Sequence, residues 1–469
     1  MDPVSRFIAT LSFALLAAWS APGPSVRPGA SPGQPGPSKP KAVISDWPRF
    51  LGPTADMRAP ETGLLADFSN EAPRLVWEQV KGEGFASPVI QDSRLFFTHR
   101  QGQDLIVECL DAETGRRHWQ YRYPTSYEDR YGYNGGPRSS PALTKKNVYT
   151  LGPEGELHCL DLGTGRLRWK HSLGAEFGVV QNFFGVGSSP LVWGSFLIVQ
   201  VGGPDGGDVA AFDLETGGLR WKNGVGWGAS YATPRMARLL GKDRLLVFAG
   251  GESEPPTGGL LCMDPSTGLL DFSYPWRGRP RESVNASTPW VGGNRIFLSE
   301  CYGMGSVLLE YRSQGIAVPR WTNRGFGIHF MSPLEKDGYL YGVDGHGPGN
   351  AFLVCIDLKD GSEKWRRQPS WEEVLVRDGK TERVRFGTYR SWLMDVDGRT
   401  LCLGEFGHLL WMDLSPAGAQ ILSRTWLFSA RETWTPPVLS RGLLYVCQNQ
   451  RDFLHGKNPR LLCYDLRGR

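Results

Sequence analysis

The stretch Leu160-Asp-Leu-Gly-Thr-Gly-Arg-Leu-Arg-Trp169 decides how this chain is read. The same skeleton returns along the sequence. Asp111 leads through Thr114 and Gly115 to Trp119, and Asp161 through Thr164 and Gly165 to Trp169. Asp213 leads through Thr216 and Gly217 to Trp221, Asp264 through Gly268 to Phe272, and Asp357 through Gly361 to Trp365. In these five copies the aromatic stands eight residues after the Asp. The chemistry is that of a hairpin. An apolar strand ends at the Asp, whose carboxylate accepts backbone N–H bonds a few residues on. Gly supplies the positive φ that closes the turn. The next strand alternates, so Trp119 and Arg117 share one face while His118 takes the other.

A second landmark, Ser or Thr followed by Pro, opens an apolar strand in most units. It occurs at Ser87-Pro88, Ser140-Pro141, Ser189-Pro190, Thr233-Pro234, Thr288-Pro289, Ser332-Pro333 and Thr435-Pro436. Pro lacks an N–H for the ladder and is tolerated at a strand's first residue. Between Ser332 and Thr435 the place is taken by Ser391-Trp392. The acidic series Asp111, Asp161, Asp213, Asp264, Glu310, Asp357, Asp413 and Asp465 steps by 50, 52, 51, 46, 47, 56 and 52 residues. Units five and seven are irregular, since Glu310 reaches Trp321 after 11 residues and Asp413 reaches Trp426 after 13.

Four strands fit each period of about 50 residues, so the pattern predicts an all-β fold. The expected architecture is an eight-bladed β-propeller of four-stranded antiparallel blades. Only four residues follow Asp465, so the last unit lacks its aromatic strand. Arg74-Leu-Val-Trp77-Glu-Gln-Val80 is an aromatic strand without a preceding hairpin. The two halves predict that this N-terminal strand closes the ring and leaves no open seam. Seven blades plus a separate hairpin is the alternative.

Composition agrees. The chain has 469 residues, with 60 Gly and 17 Trp, which suits many turns and many docked aromatics. Residues 1–41 contribute +3 (Arg6, Arg27, Lys39 and Lys41 against Asp2), which leaves +1 of the total +4 for the rest. A near-neutral body argues against nucleic acid as partner. Residues 1–21 read as a signal peptide: Arg6, an apolar run from Phe7 to Trp19, then small residues around Ser20 and Ala21. An uncleaved N-terminal anchor is the alternative. The run is short for a membrane span, which needs about 20 residues. Residues 22–45 read as a Pro/Gly-rich disordered linker, and 46–469 as the propeller. The expected location is periplasmic or extracellular, with no transmembrane domain beyond the signal segment, and the expected state is a monomer.

The repeat Asp-x-x-Thr-Gly-x-x-x-Trp, at this period and after Ser-Pro strands, resembles the tryptophan-docking repeat of pyrroloquinoline-quinone-type propellers. The resemblance covers residues 74–469. That family includes quinoprotein alcohol and glucose dehydrogenases and the propeller subunit of the outer-membrane β-barrel assembly machinery. It implies that Trp77, Trp119, Trp169, Trp221, Phe272 and Trp365 pack between neighbouring blades. The alcohol-oxidising members carry two adjacent cysteines, a calcium held by carboxylate and amide groups, and an Asp base. This chain has no Cys-Cys pair. Asp271, Asp344 and Asp395 are candidate carboxylates, but none stands in a motif. The resemblance therefore points to the exported non-dehydrogenase branch, with no cofactor and no metal. Pyrroloquinoline quinone with calcium is the alternative, and a carbohydrate-binding surface protein a third reading.

Cys109, Cys159, Cys262, Cys355 and Cys463 each stand two residues before their Asp, and so share one strand position in five units. Equivalent positions in adjacent blades are too far apart for a disulfide, which needs Cα atoms within about 7 Å. Buried free thiols are expected. Catalytic signals are sparse. His346, in Asp344-Gly-His-Gly-Pro348, reads as a loop residue, and Val201-Gly-Gly-Pro-Asp-Gly-Gly207 lacks the Lys and helix of a phosphate loop.

The loops entering the inner strands crowd the propeller axis. They carry Tyr131, Asn134, Arg138, Phe184, Trp227, Tyr231, Arg281, Asn285, His329, Arg385, Tyr389, Arg390, Arg431 and Trp434. Arg138, Trp227, Tyr231, Asn285, His329, Arg390, Arg431 and Trp434 form the expected binding funnel. Aromatics with Arg are the composition of a recognition site. With Glu282 and Glu432 as the visible counter-charges, the funnel is expected to be positive. Its expected ligand is a protein, a small anion or a glycan.

Overall fold

A computed structural model describes residues 45–468 except 180, 204, 205, 314 and 378. The signal peptide and nearly all of the linker lie outside the described residues. The fold is an eight-bladed β-propeller of four-stranded antiparallel blades. The first blade runs Val89–Gln91, Arg94–Gln101, Asp104–Asp111 and Arg117–Pro124. The next five repeat this order and end at Arg367. The seventh spans Trp392–Val396 to Gly418–Trp426 and gains a fifth strand, Arg58–Ala59, parallel to its first. The eighth holds Val438–Ser440, Leu443–Gln448 and Arg460–Asp465, and its outer strand is Arg74–Val80. Trp77 stands opposite Cys463 there, so the N-terminal strand closes the ring.

The repeated turn explains the cohesion. Asp111 Oδ1 accepts the Thr114 N–H (2.9 Å) and hydroxyl (2.7 Å), and Asp161 and Asp213 treat Thr164 and Thr216 alike. Gly115, Gly165, Gly217, Gly268 and Gly361 hold φ between +71° and +76°. The indoles of Trp77, Trp119, Trp169, Trp221 and Trp321, each from the preceding blade, lie flat against these glycines. A Cβ there would come within 2.4–2.8 Å of the ring, so Gly is required twice over. Each indole N–H then donates to a carbonyl of the same turn, from Trp77 to Ala112 (3.0 Å) and from Trp119 to Leu162 (3.1 Å), for example. Phe272 has no N–H and stacks on Tyr311 instead. Trp365 donates to Ser415 O.

Nearer the axis the Ser/Thr-Pro landmarks form a belt. The Ser87 N–H donates to Ser140 Oγ, Ser140 N–H to Ser189 Oγ, and Ser189 N–H to Thr233 Oγ1. The landmark hydroxyls thus join neighbouring blades in series, which their sequence pattern did not announce.

The eight cysteines are free, and all but Cys301 are buried. Burial pushes the Cys109 thiol up to about 12, so it packs as a small apolar group. Residues 370–387 form a separate compact unit, a hairpin of Ser370–Arg377 and Lys380–Gly387 with Trp371 opposite Phe386. Arg385, expected in the funnel, belongs to this hairpin and donates to its Ser370 Oγ. Among the described residues no helix is long and apolar enough to cross a membrane.

Candidate functional site

A cavity of about 250 Å³ receives residues from the loop ahead of every blade's first strand, which places it on the propeller axis. Phe85 comes from the first blade, Arg138 from the second, Phe184 and Ser189 from the third, and Tyr231 from the fourth. The fifth gives Val284 and Ala286, the sixth His329 and Phe330, the seventh Arg390 and Trp392, and the eighth Trp434. Phe50, Tyr133, Tyr302 and His346 complete the aromatic wall.

One arc of this wall is a continuous stack. Arg390 lies 4.4 Å over the Trp434 ring, Trp434 stacks on Phe85 at 5.3 Å, and Arg138 caps both Phe85 and Phe184 at 5.4 Å. The two cations flank a stacked pair of rings, and each lies over an aromatic face. The arc is locked by two carboxylates. Asp129 has no exposed side-chain surface and takes a 2.7 Å bond from Arg138, while its other oxygen accepts the N–H groups of Tyr131 and Tyr133. Glu405, equally buried, is clasped by Arg390 and accepts the Trp434 indole N–H at 3.1 Å.

The opposite arc is looser. Tyr302 stacks against His346 at 5.4 Å and shares a 3.0 Å hydrogen bond with His329 Nε2. Burial, then the nearby Arg390 and His346, push the His329 imidazole down to about 3, so it is neutral at physiological pH. His329 Nδ1 and Arg138 Nη1 are buried without a hydrogen-bond partner.

Of the eight expected funnel residues, Arg138, Tyr231, His329, Arg390 and Trp434 stand in the wall. Three do not. Asn285 is fully buried, its amide spent on Ala249 O and Trp276 O. Trp227 packs on the core between the third and fourth blades. Arg431 is exposed and lies outside the wall. The expected positive balance is also corrected. The counter-charges are Asp129 and Glu405 inside, with Glu252 taking Arg130 and Arg281 at 2.8 and 2.6 Å. Asp271, Asp344 and Asp395 are paired with Arg244, Arg366 and Arg58 and stand outside this wall. Phe85 and Phe330 were missed, although both sit three residues before a landmark Pro, as Arg138 and Tyr231 do.

Blades that dock by Trp on a Gly turn, around an axial cavity, define a β-propeller of the pyrroloquinoline-quinone repeat type. The family described as outer membrane protein assembly factor BamB matches residues 58–226 and 106–367, and the chain belongs to that family. The quinohemoprotein alcohol dehydrogenase ADH-IIG of Pseudomonas putida is 28% identical over 322 residues, which is 64% of this chain and 42% of the dehydrogenase. The chain thus spans less than half the length of the curated relatives it matches. The solved quinohemoprotein alcohol dehydrogenase of Comamonas testosteroni superposes with a TM-score of 0.64 at 14% identity, covering 90% of this chain and 81% of that one. BamB of Moraxella catarrhalis gives 0.53 at 14% identity, with coverages of 84% and 98%. At such identities these structures speak for the fold alone.

Proposed function

We propose that the chain is an exported, non-catalytic binding or assembly platform whose ligand or partner engages the axial cavity. One observation carries this reading: the wall is aromatic, and its two arginines are already matched by buried carboxylates. Among the described residues the wall presents no Asp or Glu. A hard-cation site is built from oxygen donors of that kind in reach of the ligand. Among the described residues no group of three or more His, Cys, Asp or Glu is placed to hold a metal. The donor set therefore does not fit calcium beside a quinone, and no catalytic step is derived through that pair. Export rests on residues 1–21, and the family description accords with an envelope location.

The competing reading is a quinoprotein oxidoreductase, which the names of the dehydrogenase relatives suggest. The full chain supplied with pyrroloquinoline quinone and calcium separates the two. No dye-linked dehydrogenase activity is expected with alcohols or sugars. Turnover that depends on the quinone would overturn the platform reading.

A further inference from the structure

The cavity's charges bear on what it can hold. Arg138 and Arg390 would attract an anion if they were free. Each is instead bound to its own buried carboxylate, Asp129 or Glu405, whose remaining oxygens and neighbours are held by the wall itself. A carboxylate entering the cavity would have to displace one of these partners or lie beside it. Like charges a few Å apart repel, the more so beside buried groups, and an unpaired buried charge is costly. Meanwhile the exposed apolar surface is aromatic, and the ring stack Arg390–Trp434–Phe85–Arg138–Phe184 is complete without a ligand. The open side is the arc of Tyr302, His329, Phe330 and His346. Two buried polar atoms, Arg138 Nη1 on one arc and His329 Nδ1 on the other, lack partners in this wall, and either can serve an oxygen of a guest.

Resting on the reading of the cavity as a binding site, we infer that it takes an uncharged aromatic ring bearing a hydrogen-bonding oxygen, and discriminates against carboxylated rings. Such a ring has two sources, a free small molecule or a side chain of a docking protein.

A matched pair of probes tests this on the full chain by calorimetry. 2-Naphthol is expected to bind at least tenfold more tightly than 2-naphthoate, which keeps the ring and adds a charge. N-Acetyltyrosinamide supplies the protein-like ring, and the tighter of the two uncharged probes assigns the source. Ala286→Trp, filling the cavity from a small wall position, should abolish binding with the thermal transition kept. Glu405→Gln, which leaves Arg390 without its counter-charge, should narrow the preference for naphthol by improving naphthoate. Should that variant fail to fold, the comparison in the native chain stands alone. Naphthoate binding as well as or better than naphthol overturns the inference, as does no binding of either uncharged ring or binding untouched by Ala286→Trp. None of these results would produce quinone-dependent turnover, so failure here is distinct from failure of the platform reading.

Discussion

The seam between the eighth and first blades and the seam between the seventh and eighth are built differently. At the first, Trp77 comes from one blade and the Gly115 turn from the next, the arrangement shared by the Gly165, Gly217, Gly268 and Gly361 seams. At the second, no such pair exists among the described residues. Trp411 stands in the third strand, where other blades carry Cys or another small or aliphatic residue, and Ser423 faces it from the fourth. Trp426 turns back into its own blade, where its N–H meets Phe406 O and its ring lies on His408. The seam is completed by the N-terminal segment: Leu65 O accepts the Trp411 indole N–H at 2.9 Å, Phe68 stacks on that ring at 6.3 Å, and the Leu65 N–H donates to Leu466 O. A propeller can therefore close one seam with its own repeat and another with chain from outside the repeat. The first kind costs only a Trp and a Gly; the second commits residues 45–68 to the fold.

The largest effect is expected at the regular seam. Trp77→Ala removes a buried ring that no neighbour can replace and should cost about 3–5 kcal/mol. Chemical denaturation of the chain without residues 1–41 measures it. An unchanged midpoint would mean that the Arg74–Val80 strand does not close the ring.

A smaller effect is expected at the irregular seam. Trp411→Phe keeps an aromatic ring against Phe68 but removes the N–H bond to Leu65 O, worth about 1 kcal/mol net, and leaves part of the buried indole's volume unfilled. Phe272 docks naturally without an N–H, so a ring can fill such a place without that bond. Hydrogen exchange should quicken at the Leu65 amide and its neighbours and stay unchanged in the first six blades. Uniform protection everywhere would remove the N-terminal segment from the seam.

What was legible in the sequence follows the range of the interactions. The Asp-Thr-Gly turn closes within a few residues, and its Trp docks on an identical turn one period away, so five copies revealed both. Closure by Trp77 was legible because two incomplete halves matched. The exchange of Trp411 and Ser423 was not, because a spacing rule anchored at Asp413 finds Trp426 instead. In the cavity, Arg138 and Arg390 were found by their position before the inner strands. Their partners were not: Asp129 lies in an irregular loop nine residues before Arg138, and Glu405 in a turn fifteen residues after Arg390. Neither spacing has a local signature, and without these two carboxylates the site reads as positive when its arginines are in fact matched. Asn285 was misplaced for a related reason, since nothing local tells a buried amide capping two carbonyls from one facing a ligand.

The smallest effect concerns Glu61, which ties the same outside segment to the eighth blade. Its carboxylate is almost fully buried and accepts the N–H groups of Arg441 and Gly442 at 2.5 and 2.6 Å and the Ser45 hydroxyl at 3.3 Å. Burial raises its pKa above the usual carboxylate value, and the hydrogen bonds only partly offset that. The sign follows from proton uptake: a group with a raised pKa binds more protons folded than unfolded, so stability is lost as pH rises through the folded value. Gln at this position carries no charge at any pH. The melting temperature of the native chain relative to Glu61→Gln should therefore fall as pH rises from 4 to 7, by about 2 °C or less in a domain of this size. Many other carboxylates titrate over this range, but they are common to both proteins and cancel in the difference. A difference that is flat with pH would mean that the hydrogen bonds from Arg441 and Gly442 just balance burial. A difference that grows with pH would mean that they dominate it, and that the seam is held by a stable buried carboxylate.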